Sequence, residues 1–233
     1  MRPQSAAQAI AEATSLLVND HDVADLLARL LRDCTSFMPV LGAGIFVRDV
    51  NGNLELVCTT SHAAAQLEIY EEIYQTGPSI EVVADGAALS VVGQVALLER
   101  WPLVGTLFAG AGIASVYTFP LLWKGRAIGG LNLFSAVAQE LSTEDTLLAQ
   151  SLTDLATIAL ARSGVATDEE LHERIQAVLG RRVVVEQAKG VVAVLDGVDL
   201  GTAFERLVAR AEERGTTLAQ VAEEVIASAH RRT

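Results

Sequence analysis

The side chain best placed to meet an anion lies near the end of this 233-residue chain. Only two lysines occur, Lys124 and Lys189, and the second stands in Arg182-Val-Val-Val-Glu-Gln-Ala-Lys-Gly190. A cation set between Ala188 and Gly190 can be reached by a phosphate without steric screening. Glu186 supplies the plainer account, a surface ion pair three residues before Lys189 and four after Arg182. Gly190 costs a helix interior about 1 kcal/mol relative to alanine, so something approaches closely there. For the glycine alone, a neighbouring helix is at least as good an account as an outside backbone.

Elsewhere the reactive side chains are sparse. Cys34 and Cys58 have neither a CxxC spacing nor a histidine cluster nearby, which speaks against a disulfide framework and a zinc site. His62 is a lone histidine in a loop, a place where the ring is usually just solvated. Asp85, Glu99 and Trp101 are the candidates for lining a small-molecule pocket, with core and surface roles as the default for each. No catalytic residue, metal or cofactor is expected.

A net charge of −12 argues against coating nucleic acid by bulk attraction, so any contact with a polyanion must be local. The charge is uneven: residues 1–167 carry a balance of −9 and residues 174–233 a balance of +1. Ten of the eleven aromatic residues precede position 168, leaving Phe204 in an apolar stripe as a core residue. Apolar runs are far shorter than the ~20 residues of a spanning helix, and the N-terminus lacks a signal peptide's apolar core. A cytoplasmic protein is expected.

The elements that must position these residues show in the hydrophobic spacing. Helical stripes run through Ile10, Ala13, Leu16 and Leu17, then through Val23, Leu26, Leu27, Leu30, Leu31 and Cys34. Gly44 to Arg48 and Asn53 to Thr60 flank Asn51-Gly52, a hairpin signal because both residues tolerate positive φ. A helical stripe at Leu67, Tyr70, Glu71 and Tyr74 precedes β-rich segments at 88–92, 116–123 and 127–134, the last two joined by a tight turn at Lys124-Gly125-Arg126. Ser142 to Asp145 is a capping box for a helix through Leu147, Leu148, Leu152, Leu155 and Ile158.

This order resembles the GAF domain on the residues Gln75-Thr-Gly-Pro-Ser79, Arg100-Trp101-Pro102 and the stretch from Thr118 to Ser135. The resemblance implies an α+β fold, a six-stranded antiparallel sheet with helices on one face and a ligand pocket on the other. Enzymatic relatives reduce methionine sulfoxide with placed cysteines, an arrangement absent here, and Ser79 stands where related sequences often carry cysteine.

From Asp168 the pattern is helical throughout. Gly197 ends one helix, Asp199 caps the next, Gly215 ends that, and Thr217 with Gln220 forms a capping box for a third. Arg182 to Gly190, Ala203-Phe-Glu-Arg-Leu207 with Ala211, and Leu218-Ala-Gln-Val-Ala222 with Val225-Ile226 look like an ANTAR domain, an all-α three-helix RNA-binding antitermination module. The resemblance implies binding to paired hairpins in a nascent leader transcript. Carried onto this chain, the candidate RNA-contacting set is Arg182, Gln187, Ala188, Lys189, Gly190, Arg206, Arg210, Arg214, Thr216 and Thr217. Val208, Gly215, Thr216 and Thr217 depart from frequent family residues, which implies weaker contact. A regulatory interaction protein that keeps the bundle mainly for dimerisation is the alternative.

The domains expected are an N-terminal helix over 1–20, a GAF sensor over 21–163 and an ANTAR domain over 164–233. Leu171, Ile175, Val178, Val185 and Val192 step by threes and fours when Arg182 and Lys189 are counted, the seam of a homodimeric coil that would also use the helix from Ser142 onward. The joint at Ser163-Gly164 is the expected flex point between an unknown small-molecule signal and the RNA.

Overall fold

The computed structural model describes residues 5–19, 22–60, 75–161 and 167–230 (the Glu212 side chain apart), together with Pro3, Ala65, Leu67 and Glu71. His62, Tyr70, Tyr74 and the 163–164 joint lie outside the described residues. The chain divides into two compact units, 1–175 and 176–233, taken separately below.

The first unit opens with α1 (Ala6–Val18) and α2 (Val23–Phe37), the latter capped by the Asp22 carboxylate, which accepts from the amides of Ala24 and Asp25. Strands β1 (Gly42–Arg48) and β2 (Leu54–Thr59) follow, then α3 (Pro78–Asp85), β3 (Leu89–Val92), α4 (Gln94–Arg100) and α5 (Pro102–Gly110). Strands β4 (Ser115–Trp123) and β5 (Arg126–Ser135) and helix α6 (Thr143–Leu160) complete it. The strands form an antiparallel sheet in the order β2-β1-β5-β4-β3.

Five strands are described instead of the six expected. Only five segments carry strand patterning, and the described chain between β3 and β4 coils into α4 and α5. Those two helices are short and apolar on most sides, so their sequence lacks a clear helical stripe. The β1–β2 hairpin also differs in detail: Gly52 alone takes positive φ, at 90°. The Asp49 carboxylate accepts from the amides of Asn51 and Asn53 at 2.8 Å each and shapes a longer loop. Burial works to raise the Asp49 pKa, but these bonds outweigh it and leave the carboxyl below its ordinary value. At Lys124-Gly125 both residues take positive φ, the tight hairpin turn expected.

Side chains alternate across the sheet. Ala43, Ile45, Val47, Leu131 and Leu133 lie on the face covered by α2 and α6, with α1 packed outside them. On the opposite face Val91, Val116 and Phe134 pack against Trp101, Val104 and Phe108. Gly129 and Gly130 permit a close strand approach. A Cβ on Gly129 would sit 2.1 Å from the Phe46 carbonyl oxygen, and one on Gly130 would sit 2.5 Å from the Phe46 ring.

Helix α7 (Asp168–Asp196) begins in the first unit, where Arg126 Nη2 lies 2.8 Å from Asp168 Oδ2. With α8 (Leu200–Arg214) and α9 (Leu218–His230) it supplies the C-terminal helices of the all-α second unit. Of the expected coil seam, Leu171, Ile175, Val178 and Val192 are at most 4% exposed, and Val185 is half-buried. Another face of α7 is more open: Gly180, Val183, Gln187 and Val194 are exposed and Gly190 is half-buried among them, again at alternating three- and four-residue steps. On α6, likewise, Leu148, Leu152 and Leu155 point inward while Leu147 and Ile158 are exposed.

Candidate nucleic-acid interface

The second unit is assembled from local signals that the sequence states plainly. Gly197 (φ 64°) and Gly215 (φ 61°) take the left-handed conformation that ends α7 and α8. Asp199 accepts from the amides of Gly201 and Thr202, and the Thr202 hydroxyl and these amides hold its carboxyl below the usual range. Thr217 and Gln220 exchange side-chain-to-amide bonds at 3.2 and 3.0 Å, a reciprocal cap on α9. Between the helices Ala188, Val192, Ala203, Leu207, Ala211, Leu218, Val221, Ala222 and Val225 form the apolar core.

Lys189 stands at the edge of that core and is only 9% exposed. Its Nζ donates to both carboxylate oxygens of Glu186 at 2.9 Å and lies 5.6 Å from the centre of the Phe204 ring. Glu186 is thus the partner that the sequence offered. Gln187 is exposed, Ala188 is buried in the core and Arg182 is half-buried. At Gly190 a Cβ would meet nothing within 4 Å. The neighbouring-helix account of this glycine therefore has no support among the described residues.

Arg206, Arg210 and Arg214 advance along α8 by one turn each and stand about 6 Å apart along its axis. At 100° per residue they occupy one flank of the Ala203–Leu207–Ala211 stripe, and Phe204 occupies the other. Apart from Arg182, the candidate cations therefore form two groups, Lys189 beside Phe204 and the three arginines of α8. Each arginine has a carboxylate partner. Arg206 Nη1 donates to Asp196 Oδ2, Arg210 Nη2 stands 3.7 Å from the same oxygen, and Arg214 Nη1 donates to Glu224 at 2.6 Å. Arg210 and Arg214 border an open groove of about 430 Å³ floored by Val221 and Val225. Thr216 is exposed beside it in sequence, whereas Thr217 is engaged as the cap.

In the first unit the three pocket candidates are not brought together. Asp85 and Glu99 are exposed on α3 and α4. Trp101 is 1% exposed, its indole N–H donating to Glu81 at 2.7 Å and its ring edge-on to Phe108. A buried polar chain, whose pairing has no local signature in the sequence, lies on the same sheet face as Val116 and Phe134. Thr118 donates to Asn132 at 2.6 Å, Asn132 donates to Ser79 at 2.6 Å, and the Ser79 amide donates to the buried Glu71 carboxylate at 2.8 Å. Thr118, Asn132, Ser79 and Glu71 are all at most 2% exposed. Cys34 is fully buried, and burial pushes its thiol pKa up, away from the reactive thiolate.

Among the described residues no helix is long and apolar enough to cross a membrane. Residues 22–160 match the family described as the GAF domain, and residues 173–226 match the ANTAR domain. No curated protein matches the chain in sequence. The chain is similar in structure to the phycocyanobilin-bound GAF domain from a cyanobacterial phytochrome (10% identity, TM-score 0.55, covering 72% of this chain and 100% of that one). It is also similar to the GAF domain from an Acinetobacter phosphoenolpyruvate-protein phosphotransferase (10%, TM-score 0.53, covering 72% and 99%). A third likeness is to fRMsr of Staphylococcus aureus (14%, TM-score 0.52, covering 69% and 97%). At these identities the likenesses establish the fold alone. With the GAF match spanning more than half of its length and the ANTAR match following, the chain belongs to the GAF-domain family and carries an ANTAR domain at its C-terminal end.

Proposed function

We propose that this protein is a signal-responsive antitermination regulator whose second unit binds hairpin RNA in nascent leader transcripts, while its GAF domain receives a small-molecule signal. The observation that carries this reading is Gly190. It sits inside a helix next to Lys189, it is unfavourable there, and open space surrounds it on the outside. A backbone arriving from another molecule gives that glycine a purpose, and the exposed Gln187 one turn earlier lies on the same side of the helix. The three arginines of α8 add phosphate-binding donors. Titration of the full chain with a two-hairpin RNA at graded salt tests the reading. Binding whose logarithm falls linearly with log salt, by about 0.7 for each phosphate neutralised, supports it, and an absence of binding at low salt overturns it.

The reading as a dimerisation element also draws on a specific observation. Lys189, Arg206, Arg210 and Arg214 all have carboxylate partners within the chain, and on α7 Val183 and Val194 are 56% and 82% exposed. Sedimentation at micromolar concentration, with and without the same RNA, separates the two. A dimer that ignores RNA favours the interaction protein, and a chain that binds RNA in either oligomeric state favours the regulator.

A further inference from the structure

We infer that Asp196 is a positioning residue for RNA, holding Arg206 and Arg210 in the orientation in which they meet neighbouring phosphates of one strand. This rests on the RNA-binding reading and names what sets the geometry of its arginines. Asp196 is the last residue of α7, and the last turn of that 29-residue helix carries no basic residue. Unpaired carbonyls and the helix dipole make a helix C-terminus electronegative, so a carboxylate is poorly placed there on its own account. The ion pairs it forms are also too exposed to add much to folding, with Arg206 at 44%, Arg210 at 39% and Asp196 at 26%. Neither helix formation nor stability explains this acid.

Its geometry does suggest a use. One oxygen, Oδ2, is shared by two guanidiniums that stand one turn apart on α8. Each guanidinium has five donors, and a single oxygen occupies few of them, which leaves the outward donors for another anion. Fixing a long side chain before binding removes part of the entropy lost on association. In a chain of net charge −12, long-range attraction to RNA is weak and such preorganisation counts for more. Simple charge counting gives the opposite expectation, since an acid beside a phosphate site repels its ligand, and the sign of the effect therefore decides.

The test compares wild type, Asp196→Asn and Glu205→Gln in titrations with a two-hairpin RNA at several salt concentrations, each variant also melted thermally. Glu205 is exposed on the same helix α8, and its substitution removes the same unit of charge. Asp196→Asn is expected to weaken binding about fivefold although it deletes a negative charge, with Tm unchanged or raised. Its salt slope stays within about 0.7 of the wild-type value, because no phosphate contact is lost outright. Glu205→Gln leaves affinity equal or tightens it. In an Arg206→Ala/Arg210→Ala background Asp196→Asn has no further effect. Asp196→Asn binding as tightly as wild type or more tightly, or weakening only together with a fallen Tm, overturns the inference while the RNA reading stands. Wild type that fails to bind RNA at low salt overturns both.

Discussion

The Lys189 ammonium stands 5.6 Å from the centre of the Phe204 ring, on the flank of α8 opposite to the arginines. Together with Glu186 the ring encloses the lysine on two sides, so its four-carbon stem fills space in the bundle while its charge remains at the edge.

A test of that charge must keep the volume. Lys189→Met is expected to leave the thermal midpoint of the helices nearly unchanged, to weaken RNA binding and to make the salt slope shallower by about 0.7. Lys189→Glu sets two carboxylates against each other at a largely buried position and costs the bundle about 3 kcal/mol. Circular dichroism melts beside RNA titrations check both. Lys189→Met with unaltered affinity and slope removes Lys189 from the contact set.

Gly190→Ala is expected to separate stability from binding. The new methyl group meets nothing within 4 Å, so α7 gains about 1 kcal/mol from better helix propensity. The same methyl group occupies the space where an RNA backbone would come in, and affinity falls. A variant that is both more stable and equally tight in RNA titration refutes the role given to this glycine.

Gly129→Ala has the opposite character. Its Cβ would stand 2.1 Å from a backbone oxygen of β1, and no side-chain rotation relieves that contact. Overpacking of this kind costs about 1–3 kcal/mol and falls on the GAF unit. Urea unfolding of the variant, compared with wild type, measures it.

The buried Asp33 of α2 gives a pH dependence. Burial raises its pKa, with Arg29 and Arg32 opposing, and its Oδ2 has no hydrogen-bond partner among the described residues. A carboxyl raised in the folded state holds its proton more tightly there than in the unfolded chain. Its contribution therefore favours the native state at acid pH and is lost as pH rises from the ordinary carboxylate range through the raised value. Asp33→Asn removes that loss. Urea melts are expected to show the variant gaining stability relative to wild type as pH rises from about 3 to neutral. Equal stability at both pH values contradicts the assignment.

What the sequence disclosed was local. Ser142, Asp199 and Thr217 could be named as caps, and Gly197 and Gly215 as helix ends, because each acts on amides or carbonyls a few residues away. Lys189 and Glu186 are a helical pair for the same reason. The Ser79–Asn132 bond joins residues 53 positions apart, and the Arg206–Asp196 pair crosses from one helix to the next. Neither has a periodic signature. Whether a coil seam serves a second copy is not legible either, because an apolar stripe is the same pattern whether its own chain or a second copy covers it; Leu171, Ile175, Val178 and Val192 are buried while Val185 is half-buried.

The seclusion of Trp101 has a spectroscopic consequence. Both tryptophans, Trp101 and Trp123, belong to the first unit, and no tyrosine or tryptophan occurs after residue 175. Indole emission therefore originates in the GAF unit alone. With its N–H donating to the Glu81 carboxylate and its ring edge-on to Phe108, Trp101 is shielded from solvent. A molecule entering beside that ring shifts or quenches the emission. One cuvette therefore reports signal binding while a labelled RNA in the same solution reports the other end of the chain, and any change of emission on adding RNA alone reads the coupling between them.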